Sequence, residues 1–121
     1  MDYTVSPSGE ETFVILKVTG NITRQTIMPG VVAAHALGGK LALDCYLVDA
    51  TDATNIETIT DNYTFAYSDM RNTEGIDKYA RIAVLVSPDD HSHDFVETVA
   101  RNAGLNFRLF RDRDQAEGFL R

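Results

Sequence analysis

Between Arg81 and Arg121 the chain spells two consecutive strand-then-helix units, and no other feature narrows the fold as much. Arg81-Ile-Ala-Val-Leu-Val-Ser87 is a short apolar run of strand character, and Pro88-Asp89-Asp90 follows it in the order of a helix start. Leu105-Asn-Phe-Arg-Leu-Phe110 is a further strand, followed by Asp112, Gln115 and a short helix. Strands alternating with helices predict a mostly parallel sheet with helices packed on its faces. In such a sheet a ligand sits outside the carboxyl ends of the strands.

The acidic residues of this region read first as helix grammar. Ser87 is placed to cap a helix from Pro88 to about Ala103, with Asp90 three residues on as its reciprocal partner. Asp89 and Asp90 complement the positive helix end, and Gly104 is the expected stop. Phe95, Val96, Val99, Ala100 and Ala103 supply its buried stripe. Asp112 and Gln115 repeat the scheme for the last helix, whose Ala116, Phe119 and Leu120 face the sheet. Capping accounts for Asp89, Asp90 and Asp112 better than catalysis does.

Upstream, Tyr3 to Pro7 reads as an edge strand, Ser8-Gly9 as a turn, and Thr12 to Thr19 as a β-branched strand ending at Gly20. Val14, Leu16 and Val18 share one face and Phe13, Ile15 and Lys17 the other, so one face is fully buried and the other partly so. Thr23 caps a helix from about Arg24 to Leu37, which Pro29 and Gly30 should delay, kink or break, and Gly38-Gly39 ends it. Asp44 to Asp49 is the next strand. After Asp49-Ala50-Thr51-Asp52-Ala53-Thr54 comes the most periodic helix, with Ile56, Ile59, Tyr63, Ala66, Tyr67 and Met70 in one apolar stripe and Thr54 and Glu57 as its capping box. The order is β, β, α, β, α, β, α, β, α. It predicts one α/β domain over residues 1–121: an open, mostly parallel five-stranded sheet with an N-terminal antiparallel hairpin strand and about four helices.

Eighteen acidic against eleven basic residues give a formal charge of -7, which opposes binding to phosphate backbones and excludes nucleic acid as a partner class. The single cysteine, Cys45, makes no internal disulfide and, lying in a strand, reads as a small core residue. Met1-Asp-Tyr-Thr-Val lacks the pattern of a secretory signal, and no apolar run approaches the ~20 residues that span a bilayer. The expectation is a cytoplasmic protein with at most peripheral membrane contact.

Val18-Thr-Gly-Asn-Ile22, the strand end Tyr46-Leu-Val-Asp-Ala-Thr51, Ile82-Ala-Val-Leu-Val86, and the tail Phe107-Arg-Leu-Phe-Arg-Asp with Ala116-Glu-Gly-Phe-Leu120 together resemble the SpoIIAA-like proteins of the STAS group, named for sulphate transporters and anti-sigma factor antagonists, which have also been compared with Sec14 or CRAL-TRIO lipid-binding domains. The resemblance spans nearly the whole chain. It implies a small open-sheet α/β layer and a role in binding proteins, nucleotides or apolar ligands rather than in catalysis. Anti-sigma antagonists carry an Asp-Ser-Ser-Gly-like turn with a phosphorylated hydroxyl at a helix start. Here Asp49 matches the strand-end acid, the Ser-Ser-Gly part is absent, and Thr51 and Thr54 are the hydroxyls left as phosphoacceptors, with Asp52 beside them opposing a phosphate.

Other motifs fail on context. Gly39-Lys40 imitates a phosphate-binding loop, but Ala34 stands at the first glycine and the segment follows a helix. His91 and His93, two apart on a helix, point about 160 to 200° from one another and do not converge on a metal. His35 reads as a surface or boundary histidine without triad partners. Asn21-Ile-Thr23 and Asn62-Tyr-Thr64 are chance sequons in a chain without a signal. No cofactor motif and no catalytic constellation is present.

Two roles follow. The first is a non-catalytic module holding an apolar small molecule or lipid near a membrane surface, with Phe65, at the edge of the helical stripe, lining a groove. The second is a protein-interaction regulator with a phosphorylatable Thr51 or Thr54. Topology places the candidate ligand residues Asp49, Thr51, Thr54, Ser87 and His91 at the strand carboxyl ends, beside Phe65. An enzyme ranks last, pending Asp49 and His91 within hydrogen-bond reach. Edge strand Tyr3 to Pro7 and the aromatic stripe suggest a homodimer.

Overall fold

The computed structural model describes every residue from Met1 to Arg121. Strands β1 (Asp2–Pro7), β2 (Val14–Ile22), β3 (Cys45–Asn55), β4 (Arg81–Leu85) and β5 (Asn106–Phe110) form one five-stranded sheet in sequential order. β1 runs antiparallel to β2, and every other neighbour pair is parallel. The helices are α1 (Arg24–Leu41), α2 (Ile59–Thr64), α3 (Met70–Asn72), α4 (Asp94–Asn102) and α5 (Arg113–Phe119). A π-helical segment, Phe65–Asp69, joins α2 to α3 without a break, so the sheet carries four helical bodies. This is the α/β arrangement the strand-helix alternation predicts.

A sheet that adds parallel strands in one direction, each through a right-handed crossover, puts all its crossover helices on one face. That is how the two layers divide. Val14, Leu16, Val18, Tyr46, Ile82, Val84 and Phe107 meet α1, α3 and α4 in the large core. The opposite face buries Phe13, Leu47, Ala83 and Leu85 under Ala116 of α5 and Leu120 just after it. Arg81 fastens that last helix by donating to the carbonyls of Phe119 and Arg121, each at 2.9 Å. Asp112 caps it, accepting from the amides of Asp114 and Gln115.

Several boundaries move from where local sequence puts them. Thr23 caps α1 in a reciprocal box with Thr26, yet neither Pro29 nor Gly38-Gly39 interrupts the helix. Pro29 lies on the exposed side, where solvent reaches the carbonyl it leaves unbonded, and the helix runs on until Ala42 turns left-handed at φ 56. Gly38 serves packing instead: a Cβ there would overlap the Tyr46 hydroxyl. α4 starts at Asp94 rather than Pro88, because the Ser87 hydroxyl donates to the Thr51 carbonyl at 2.7 Å and the Asp90 carboxylate takes the Ser92 amide at 2.8 Å. His91 and His93 therefore lie before the helix and not along it.

The largest revision concerns residues 49–58. β3 does not end at Asp49 but continues to Asn55, paired with the end of β2 through Thr19–Asp52 and Ile22–Asn55. β2 correspondingly runs on through Gly20 to Ile22. Two residues of β3, Ala50 and Thr51, stand opposite Val18 alone in β2, and this bulge lets Ala50 and Ala53 both turn into the core. Thr54 is an exposed strand residue, and Thr58 is the cap of α2, accepting from the Asp61 amide at 3.1 Å. The apolar stripe also divides. Ala66 and Met70 are buried, whereas Ile56 is 54% and Ile59 68% exposed, and Tyr63 and Tyr67 sit half out. The π segment adds a residue to its turn and rotates what precedes it, so that Asn62 takes the inward position in α2.

Candidate functional site

Period-two alternation sends Leu16 and Ile22 of β2, Tyr46, Val48 and Ala50 of β3, Ile82 and Val84 of β4, and Phe107 of β5 toward the helices. Ile27, Val31 and Ala34 of α1, Phe65 of the π segment, Met70 of α3 and Val96 of α4 face them. These side chains do not close on one another. They leave a cavity of about 90 Å³, lined by 20 residues of which 14 are hydrophobic. Close-packed interiors leave few voids larger than a water, which needs ~10–15 Å³ measured this way, so this space exceeds ordinary packing defects.

Polar groups collect at two ends of the cavity. At the amino end of β3, His35 stacks on Tyr46 with ring centroids 4.2 Å apart, and its Nδ1 accepts from the Asp77 amide at 3.1 Å. That bond places the ring proton on Nε2 in the neutral form. Burial pushes the His35 pKa down and pushes the Tyr46 hydroxyl up to about 12. His35 is thus buried, not a surface residue. Its position one turn after Val31 on the apolar side of α1 was the available signal.

At the carboxyl ends of the strands stand Arg24, Asn55, Glu57, Asn62 and His93. Asn55 donates to Asn62 at 3.2 Å and accepts from the Glu57 amide at 3.0 Å, and Asn62 donates to the Thr58 carbonyl at 3.0 Å. His93 is buried, with Nε2 3.2 Å from the Ala53 carbonyl and 3.4 Å from Asp90. The Arg24 amide donates to Glu57, and the Arg24 guanidinium grips Asp69. Burial pushes the Glu57 carboxyl above its ordinary range; the Arg24 amide works against that, and the Asp61 carboxylate adds to it.

Of the sequence-predicted site residues, only Phe65 lines this cavity. Asp49 occupies the other side of the sheet, with Cys45 and Leu47, because odd positions of β3 point away from α1. There it accepts from Lys17 at 3.4 Å and from the Thr51 hydroxyl and amide at 2.7 and 3.2 Å. Burial opposes its ionisation, but the Thr51 and Lys17 bonds more than offset that and hold it below the usual carboxylate range. Ser87 joins this group through the Thr51 carbonyl. His91 is apart and exposed, bonded to Asp94 at 2.9 Å and near Arg111 at 3.3 Å, so it makes no pair with Asp49. Thr51 and Thr54 both lie within β3, away from any helix start, which removes the free backbone amides a phosphate there would use.

Comparison with known proteins adds to this geometry. A crystal structure of an uncharacterized DUF3478-family protein from Shewanella loihica PV-4, described as having a SpoIIAA-like fold, superposes with a TM-score of 0.54 at 17% identity, covering 99% of this chain and 93% of that one. This chain has a SpoIIAA-like fold. No protein-family model matches the sequence, and no curated protein does either. Within the SpoIIAA-like fold, the cavity occupies the space between the sheet and its crossover helices. No helix is long and apolar enough to cross a membrane.

Proposed function

We propose that this protein is a non-catalytic binding module that holds an apolar small molecule or a lipid chain between its sheet and its helices. The observation that carries the reading is the cavity of about 90 Å³ with a predominantly hydrophobic wall, set inside a layer that is otherwise closed by large aliphatic side chains. Its polar groups are few and gathered at the ends, the arrangement of a site that takes up an apolar body and fixes its orientation. The roof is the segment from Ile59 to Asn72, and Ile59, Tyr63 and Tyr67 are exposed on it. A membrane or carrier surface delivering the ligand would meet those side chains first.

The test is direct. Protein purified without detergent is extracted into organic solvent and examined by mass spectrometry, and the same protein is titrated with the neutral fluorophore N-phenylnaphthylamine. A stoichiometric apolar species in the extract, or saturable uptake of the fluorophore that the extracted species displaces, is the expected result. An extract indistinguishable from the buffer blank together with no fluorophore uptake would end this reading.

A further inference from the structure

The binding role just proposed leaves open what stands at the polar end of the ligand. One wall of the cavity follows β3 from Tyr46 through Val48 and Ala50 to Asn55, so the space runs along the strand. An elongated ligand lying there presents one end to Arg24, Glu57 and Asn62, at the strand carboxyl ends.

The charge at that end is one-sided. Arg24 is the one Arg or Lys among the lining residues, and its Nε and Nη2 are already donated to Asp69 at 2.8 and 2.7 Å. Glu57, which lines the cavity, and Asp61, its carboxylate neighbour, have no ion pair within 4 Å. One Glu57 oxygen takes the Arg24 amide, and the residue is half-buried. A ligand carboxylate placed here would meet two acids and a cation that is already engaged. An ammonium would meet two acids with no cation in contact, the Arg24 charge reaching both only at longer range, in a chain whose formal charge of -7 also favours its approach.

We infer that the ligand is a cationic amphiphile, its apolar chain in the cavity and its ammonium head seated between Glu57 and Asp61. The apolar wall and the carboxyls without a contact ion pair are separate features, and together they select a long-chain amine over the fatty acid or alcohol of the same length. The burial of Glu57 supports the assignment, because an adjacent ammonium relieves the cost of ionising it.

The experiment compares decylamine, decanol and decanoate, all below their micelle concentrations, as displacers of N-phenylnaphthylamine from the full chain at neutral pH. Decylamine is expected to displace the fluorophore at about a tenfold lower concentration than decanoate, a ratio equivalent to ~1.4 kcal/mol. Glu57→Gln, which keeps an acceptor for the Arg24 amide, and Asp61→Asn should each shrink that ratio severalfold while leaving decanol unaffected. Asp61→Asn decides the matter if Glu57→Gln does not fold. Glu10→Gln, on the exposed hairpin turn, controls for diffuse attraction. If it lowers the ratio as much as Asp61→Asn does, the inference is overturned. Equal displacement by all three compounds, or preference for decanoate, overturns the cationic head and leaves the apolar site standing. Absence of fluorophore uptake by the unaltered protein removes both.

Discussion

The Arg24 guanidinium and the Asp69 carboxylate form a bidentate pair, with Nε and Nη2 donating over 2.8 and 2.7 Å, that ties the first residue of α1 to the π segment roofing the cavity. Two parallel charge-assisted bonds fix orientation as well as distance. Asp69→Asn breaks the fork while keeping the side chain's shape. Amide exchange across Phe65–Asn72 should then accelerate severalfold, with the amides of β3 and β4 unchanged. Unaltered protection in the roof would show that Ala66 and Met70 hold it by packing alone.

Gly38 and Gly39 are neighbours in α1 with opposite demands. A Cβ on Gly38 would collide with the Tyr46 ring and hydroxyl, whereas one on Gly39 meets nothing within 4 Å. Gly38→Ala should cost about 1–3 kcal/mol by overpacking, and Gly39→Ala should stabilise by up to about 1 kcal/mol through helix propensity. Urea unfolding of the two single variants checks both signs.

Ala50 is 1% exposed and borders the cavity. In a filled core Ala→Leu costs ~1–3 kcal/mol. Here the added methylenes have space to enter, so Ala50→Leu should cost less than ~1 kcal/mol and abolish fluorophore uptake. A loss at the upper end of the overpacking range, with uptake retained, would show that the side chain cannot enter the cavity.

The helical stripe separates into two energetic classes. Met70 is 2% exposed and Ile59 68% exposed. Met70→Ala should cost about 2–4 kcal/mol and Ile59→Ala under ~0.5 kcal/mol. Similar losses would mean that Ile59 is covered in solution, as by a second copy of the chain.

His35 gives the fold a pH dependence. Its pKa in the fold is lowered from 6.5 by burial, with Asp77 opposing, and its Nδ1 accepts a bond that an imidazolium cannot accept. The unfolded state therefore binds the proton more readily. The contribution is fully present above 6.5 and is lost as pH falls through 6.5 and on through the lower folded value, at no more than about 1.4 kcal/mol per pH unit. His35→Gln, which keeps an acceptor without titrating, should flatten the urea midpoint across that window. An equal slope in the variant would assign the dependence to other groups.

Much of the architecture was readable because it is written locally. The strand Arg81 to Leu85, the cap at Thr23 and the cap at Asp112 each combine a periodic apolar pattern with a residue whose side chain completes the backbone's hydrogen bonds. Thr54 and Ser87 misled for the same reason that those caps were legible. Asp, Thr, Asn and Ser satisfy backbone groups in turns, so Asp49 to Asn55 resembles a turn until β2 lies alongside and supplies the pairing that keeps it extended. Asp90 has the spacing of a capping partner, yet the Ser92 amide claims its carboxylate first.

The candidate site was less legible. Phe65, picked out at the edge of a helical stripe, lines the cavity. Asp49 lies within β3 on the face away from the cavity, since the end of a strand depends on its pairing and the face on register. Arg24 carried no motif, Glu57 read as a capping partner and Asn62 as part of a chance sequon, and the three converge only because α1 begins where β2 ends and α2 folds back over it.

The amino-acid sequence by itself determined the order of elements, the direction of the strands and the two faces of β2, because these follow from local periodicity and from the chirality of crossovers. Tertiary structure alone decided where β3 ends, which part of the long stripe is buried, and that the helices stand off the sheet around an apolar space. A cavity is a property of surfaces that fail to meet, and no single segment encodes how closely another will approach it.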